Sequence, residues 1–192
     1  MAARITYNSN NVDITVVESF DVYHRQERSQ GVTSTGIIQT INQHGIYEVE
    51  LHCFFQTAVE RQLQAWWSWA RQGKVFSVAR DSGDVGNTTL DGAAAAAQKV
   101  IPLTATASFS AGDECIIEAA DNDDEFEVVT IDSKSAGVSV TADLNLNYTY
   151  ASGDTFRHRY YFPAMKTLDD NFRPRLSGEW YEHTFRFVED KS

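Results

Sequence analysis

The run IYEVELHCFF, residues 46–55, puts Tyr47, Val49, Leu51 and Cys53 on one side and Glu48, Glu50 and His52 on the other. That alternation has the period of a strand, whose side chains point to opposite faces in turn. The pattern recurs along the chain. Val12, Ile14 and Val16, then Phe20 and Val22, alternate after ARITYN. The last run sets Trp180, Glu182, Thr184 and Arg186 against Tyr181, His183, Phe185 and Phe187. Turn residues separate the runs: Asn8, Ser9, Asn10 and Asn11 near the start, LDDNFRPRLSG near the end. A chain patterned this way is expected to build antiparallel sheets with one buried face.

One stretch changes period. In TAVERQLQAWWSWARQG the apolar residues Val59, Leu63, Trp66, Trp67 and Ala70 follow helical spacing. Thr57 and Glu60 stand at capping-box spacing, where each side chain satisfies an orphan backbone N–H. Gly73 suits the left-handed residue beyond the last turn, and Arg71 and Lys74 suit the negative helix end. The spacing predicts one helix over residues 57–72, holding three of the four tryptophans. Trp66 and Trp67 point about 100° apart around it, Trp66 and Trp69 about 300°. Trp66 and Trp69 are therefore expected on the sheet, with Trp67 nearer a seam between subunits.

The formal net charge of −11 is concentrated in one segment. Residues 81–154 hold fourteen acids against Lys99 and Lys134, a balance of −12, while the rest carries thirteen acids and fourteen bases. That asymmetry marks a module with its own surface. Its acids repel phosphates, and no basic stripe exists elsewhere, so a specific nucleic-acid interface is not expected. Inside the module SAGDECII and ASGDTFRH echo one another: small residues, Gly-Asp, then a strand. The match is too short to establish a repeat and reads as two hairpin-like turns of one small all-β unit. Five alanines, Ala93 to Ala97, run into VIPL and leave helix or strand open. The expected division is a body of residues 1–82 plus 155–192 and an inserted acidic module of residues 83–154.

Signatures of chemistry are missing. Cys53 and Cys115 are too few for a disulfide framework and read as buried thiols. The histidines, His24, His44, His52, His158 and His183, show no zinc-ligand spacing. There is no G-x-S-x-G elbow, and DSGDVGN lacks the lysine of a phosphate-binding loop. No catalytic, cofactor-binding or metal residue is assigned, and an enzyme is not expected. Asp121, Asn122, Asp123, Asp124 and Glu125 supply hard oxygen ligands, yet Phe126 and Asp132 stand where a calcium loop needs Gly and Glu. They read as a solvated hairpin tip. Trp66, Trp67 and Trp69 also suggest a sugar-stacking platform, so a carbohydrate-binding module is the second class of function. No apolar run reaches the roughly 18 residues of a membrane span. MAARITYNSNN lacks the apolar core of a signal peptide, so synthesis in the cytoplasm is expected.

The order of motifs is SFDVYHRQERSQG, then AWWSWARQGKVFSVARDSG. An insert follows with AGDECII, VVTIDS, GVSVTADL and YASGDTFR, and the chain closes on YYFPAMKTLDDNFRPRLSGEWYEHTFRFVED. This order resembles small tail proteins of tailed bacteriophages, nearest the distal tail, tail-tip adaptor group. The resemblance covers most of the chain. It implies a mainly β fold: a β-sandwich or split-barrel body with one α-helix and a small inserted all-β module. It also implies a structural virion protein, without cofactors, that forms a ring, often a hexamer, at the distal end of the tail tube. The implied partners are further copies of itself, the tail tube protein and the hub or tip protein, with DNA passing through the lumen. A tail tube or tail-terminator protein shares the same body. Trp67 and the loop residues Arg25, Arg28, Arg173 and Arg175 are the candidate subunit contacts.

Overall fold

The structure is a computed structural model. It describes all residues except 26–27, 33–37, 43–45, 82, 84, 121–124 and 191–192; for residues 24, 25, 28–32 and 38–42 it describes the backbone alone. The chain is mainly β, and its described residues form one helix and two large antiparallel sheets. It divides into two units, Met1–Arg80 with Phe162–Ser192, the body, and Asp81–Tyr161, the module.

The body contributes β1 (Ala3–Tyr7), β2 (Asn10–Ile14), β3 (Val16–Arg25), β4 (Arg28–Val32), β5 (Ile38–Asn42), β6 (Ile46–Phe55), α1 (Thr57–Ala70) and β7 (Phe76–Ala79). The module carries β8 (Asn87–Thr89), β9 (Val100–Pro102), β10 (Glu114–Glu118), β11 (Phe126–Ser135), β12 (Ser139–Ala142) and β13 (Thr155–His158). The chain then supplies β14 (Tyr161–Thr167), β15 (Arg175–Ser177) and β16 (Trp180–Glu189).

The body sheet runs β2-β1-β7-β14-β16-β6-β3, with β15 added on β16. Its two edge strands, β2 and β3, are consecutive in the chain with only Thr15 between them. A single residue cannot cross a flat sheet of this width, since one residue reaches only about 3.5 Å. The sheet therefore curls until its edges approach, as a split barrel does. The first hairpin turns tightly at Asn8 and Ser9, with φ of 42° and 62°. Tyr7 faces Asn10 across it, the geometry of a type I′ turn. Asn10 and Asn11, expected in that turn, begin β2 instead.

The alternation of β6 is realised along its whole length: Tyr47, Val49, Leu51, Cys53 and Phe55 are buried and their neighbours half-buried. In β3 the expected period slips. Val16, predicted inside, is 40% exposed, and Val17 takes the core position opposite Cys53. A bulge between Val17 and Ser19 then restores Phe20 to the core. One extra residue on one strand shifts all later side chains to the other face, which alternation alone does not reveal.

The helix ends at Ala70, and its start differs from expectation. Gln56 is the N-cap, in extended conformation and with no side-chain cap bond. Thr57 is already the first helical residue, so the capping box does not form: its hydroxyl sits one position too far along to serve as the cap. Gly73 takes φ of 75° just past the C-cap Arg71, as its left-handed role requires.

The module begins at Asp81 and extends to Tyr161. Strand β13, expected in the body, belongs to the module, where it pairs with β10 and β8. The module sheet runs β8-β13-β10-β11-β12-β9. Its two ends meet through a Leu90–Leu103 bridge and a Thr104 N–H donated to the Thr89 carbonyl at 3.0 Å, so the six strands close. Leu90, Ile101, Leu103, Phe109, Ile117, Ile131, Val140 and Phe156 are among the residues that fill the interior. Ala94 bridges Tyr150 and Ala97 has φ of 63°, so the five alanines are not helical.

The six strands form two matching sets, β8-β9-β10 and β11-β12-β13, offset by about forty residues. Leu90 pairs Leu103 as Ile131 pairs Ala142. Leu103 donates to the Val138 carbonyl as Ala142 donates to that of Lys99. Leu90 N–H meets the Asp154 carbonyl as Ile131 N–H meets that of Asp113, both near 3.0 Å. The two echoing turns complete the match. Gly112 and Gly153 have φ of 92° and 97°. Asp113 accepts the Ser110 N–H, and Asp154 the Ala151 N–H, each at 2.7 Å. The echo that read as two turns is thus the visible part of two equivalent three-strand halves.

Candidate functional site

Trp66 stands at the centre of the body. It is 0% exposed and meets Phe76, Phe185 and Phe187 edge-on, with ring centroids 5.1, 5.4 and 5.9 Å away. Edge-to-face contact places ring hydrogens against the electron-rich faces of neighbours. Trp69 is half-buried and leans on Tyr7 at 5.5 Å. Trp67 is half-buried, with the Arg71 guanidinium 4.9 Å from its ring centre. The three tryptophans therefore do not form one platform. Trp66 offers no face to a sugar, and the other two rings already have partners.

A second aromatic group, unforeseen in the sequence, lies at one end of this core. Phe172, from residues 168–174 between β14 and β15, stacks on Phe185 at 5.7 Å and on Phe55 at 6.2 Å. It meets His183 edge-on at 5.0 Å, and His183 lies 4.5 Å from Phe185. The segment is tied to β16 by Leu168 N–H donating to the Arg186 carbonyl at 2.9 Å. The Asp169 carboxylate accepts the Arg186 N–H at 3.0 Å and lies 3.6 Å from its guanidinium. His183 Nε2 is buried without a hydrogen-bond partner. Burial holds this imidazole below its usual range, against the pull of Asp169. Burial likewise raises Asp169, which its bonds to Arg186 oppose.

The outer face of β3, β6 and β16 carries a groove of about 720 Å³, walled by Tyr23, Glu48, Glu50, Leu168 and Arg186. On the same face His52 lies between Glu18 at 2.7 Å and Glu182 at 3.2 Å. Of the candidate contact residues, Arg173 and Arg175 are exposed, Arg175 facing Glu182 across the β15–β16 pair. The side chains of Arg25 and Arg28 lie outside the described residues.

In the module, acids act as caps for backbone. Glu127, nearly buried, accepts the N–H groups of Asn147 and Tyr148 at 3.0 to 3.3 Å. Arg157, 1% exposed, grips Glu118 through two bonds of 2.8 and 3.2 Å and donates to the Tyr161 carbonyl at 2.7 Å. His158 Nδ1 accepts the Gly86 N–H at 2.9 Å, which leaves the ring proton on Nε2 to donate to Asp113 at 3.1 Å. With both nitrogens engaged, this Asp-His pair orders structure and presents no base to a nucleophile. Gly86 is held close: a Cβ there would lie 2.8 Å from the Phe109 ring.

Cys53 is buried, and burial pushes its thiol up to about 12. A thiol held protonated is a poor nucleophile. Among the described residues no three His, Cys, Asp or Glu side chains are arranged to hold a metal ion. The acidic stretch read as a solvated hairpin tip lies, at residues 121–124, outside the described residues. No described helix is long and apolar enough to cross a membrane. No family model matches the chain, and no curated protein is similar to it.

Proposed function

We propose that the chain is a structural subunit of a bacteriophage tail, forming a ring at the distal end of the tail tube and joining the tube to the hub or tip. The supporting observation is architectural. A split-barrel body, with one helix packed on its core, carries a self-closed barrel in the connection between β7 and β14. These two strands are hydrogen-bonded neighbours in the body sheet. Such a plan suits a subunit whose body makes a repeated contact and whose insert faces another partner. The ribbon β4–β5 adds to this. Among the described residues it pairs with no third strand. Two strands alone are marginal in water, and on this reading a neighbouring copy extends the ribbon through its free strand edges.

On this reading the partners are further copies of the chain, the tube protein and the hub protein, and the place of action is the virion tail. The mechanism is geometric and assigns no catalytic residue. The test is light scattering of the purified protein up to about millimolar concentration, with negative-stain imaging of the larger species. Rings or stacked rings are expected. A strictly monomeric protein over that range overturns the proposal, and imaging of intact particles separates the distal position from a tube or terminator position.

A further inference from the structure

The segment of residues 168–174 covers the aromatic end of the body core, and its attachment is unequal along its length. At one end it is fixed by the Leu168 and Asp169 bonds to Arg186. In the middle it is held by Phe172, wedged against Phe55, His183 and Phe185. His183 sits beneath that wedge with Nε2 buried and unpartnered. A bare lone pair among aromatic rings is tolerable. An N–H⁺ in the same place has no acceptor, and a buried unpaired charge is among the least tolerated features of a protein interior.

We propose that residues 168–174 form a strap that lies over Phe55 and Phe185 while His183 is neutral and lifts when His183 is protonated. The groups facing the imidazole are few. From the strap they are Asp169 and the Arg173 backbone; from β6, Cys53, across the strand pair; from β16, Tyr181, two positions along on the same face. Asp169, whose oxygens are engaged by Arg186, and a hydrogen bond to the Arg173 backbone favour the imidazolium, but burial outweighs both and neither reaches Nε2. Cys53 is protonated throughout this range and donates to the His183 carbonyl at 3.6 Å, not to its ring.

The direction follows from the shift. His183 is pushed below its unfolded value of about 6.5, so its contribution to the closed form is complete above that pH and is lost as pH falls below it. Asp169 is shifted the opposite way, upward by burial, so its own protonation favours the closed form and opposes the His183 effect at the acid end. A lifted strap uncovers a stacked aromatic surface, the kind proteins bury against partners.

Hydrogen exchange of the full chain, corrected for the intrinsic rate at each pH, reads this directly. The Leu168 and Arg186 amides are expected to lose protection by up to roughly tenfold per pH unit as pH falls from about 6.5 toward the lowered closed-state value of His183, and to level off below it. His183→Phe keeps the ring and removes the titration, so its protection stays constant from pH 7.5 to 5. His183→Gln, which is also uncharged, gives the same flat profile should the Phe variant fail to fold. Phe172→Ala exchanges rapidly at every pH. Constant protection in the parent chain, or an unchanged pH profile in the folded His183 variant, overturns the proposal.

Discussion

At the scale of single residues, three neighbouring tryptophans have three different roles. Trp66 fills the space between Phe76, Phe185 and Phe187, and its Nε1 finds no acceptor, so it acts as apolar volume. Trp66→Ala is expected to lower unfolding free energy by about 3–5 kcal/mol in a urea titration. Trp67→Ala loses a half-exposed ring and its contact with Arg71, about 0.5–1 kcal/mol for the latter. Equal losses for the two would contradict this division. The helical period of residues 57–70 made one buried tryptophan legible; which ring met aromatic partners depended on β1, β7 and β16, the last more than a hundred residues away. The two thiols give a second check. Cys53, pushed up to about 12, and Cys115, 0% exposed, are expected to resist an aromatic disulfide reagent at pH 8 in the folded chain. Both should react after denaturation. Rapid labelling of either native thiol would show that its strand opens.

At the scale of elements, the ends of helices and turns carry what remains adjustable. Gln56 occupies an N-cap with extended backbone and makes no side-chain bond. Gln56→Ser places a hydroxyl where the first helical N–H groups lack partners, and is expected to stabilise the chain by up to about 1 kcal/mol. No gain in melting temperature would mean that another group already satisfies them. The Gly-Asp turns offer a paired test. A Cβ at Gly112 or Gly153 meets nothing within 4 Å, so alanine there is opposed by the backbone conformation alone. Each substitution is expected to cost about 1–2 kcal/mol, and the two should agree closely. Unequal losses would mean that the halves, though alike in hydrogen bonding, are not alike in energy. The likeness of these turns was readable as Ser-Ala-Gly-Asp and Ala-Ser-Gly-Asp. The equivalence of the strands around them was not, because matching ladders of backbone bonds place few demands on side-chain identity.

At the scale of the whole molecule, the module is separable in principle. Its first and last strands, β8 and β13, pair with each other, so the chain leaves the module beside the point where it enters. Replacing residues 81–161 by a short Gly-Ser linker should leave a folded body, seen as retained near-ultraviolet circular dichroism from the tryptophan cluster and a cooperative melt. An unfolded body would show that the module is required for its stability. The deletion also reports on the proposed ring. Because the module holds fourteen acids and four bases, the trimmed body is almost neutral. Rings that persist after deletion place the subunit contacts on the body.

The sequence by itself determined the class of fold: strand alternation, a single helical period and a concentrated acidic segment are local signals, each carried by residues within one element. It also exposed the two turns of the module. Only the tertiary structure decided how these parts are shared out. Whether β13 joined the body or the module was a matter of which edge it met, and alternation is the same for both. The bulge that turned Val16 outward depended on the register against β6. The strap over His183 joined residues from a turn-rich loop to a distant strand by ring packing, which leaves no periodic trace. Pattern specifies which face of an element is buried; packing specifies against what, and that choice made a core tryptophan of Trp66 and an orphan of the His183 ring nitrogen.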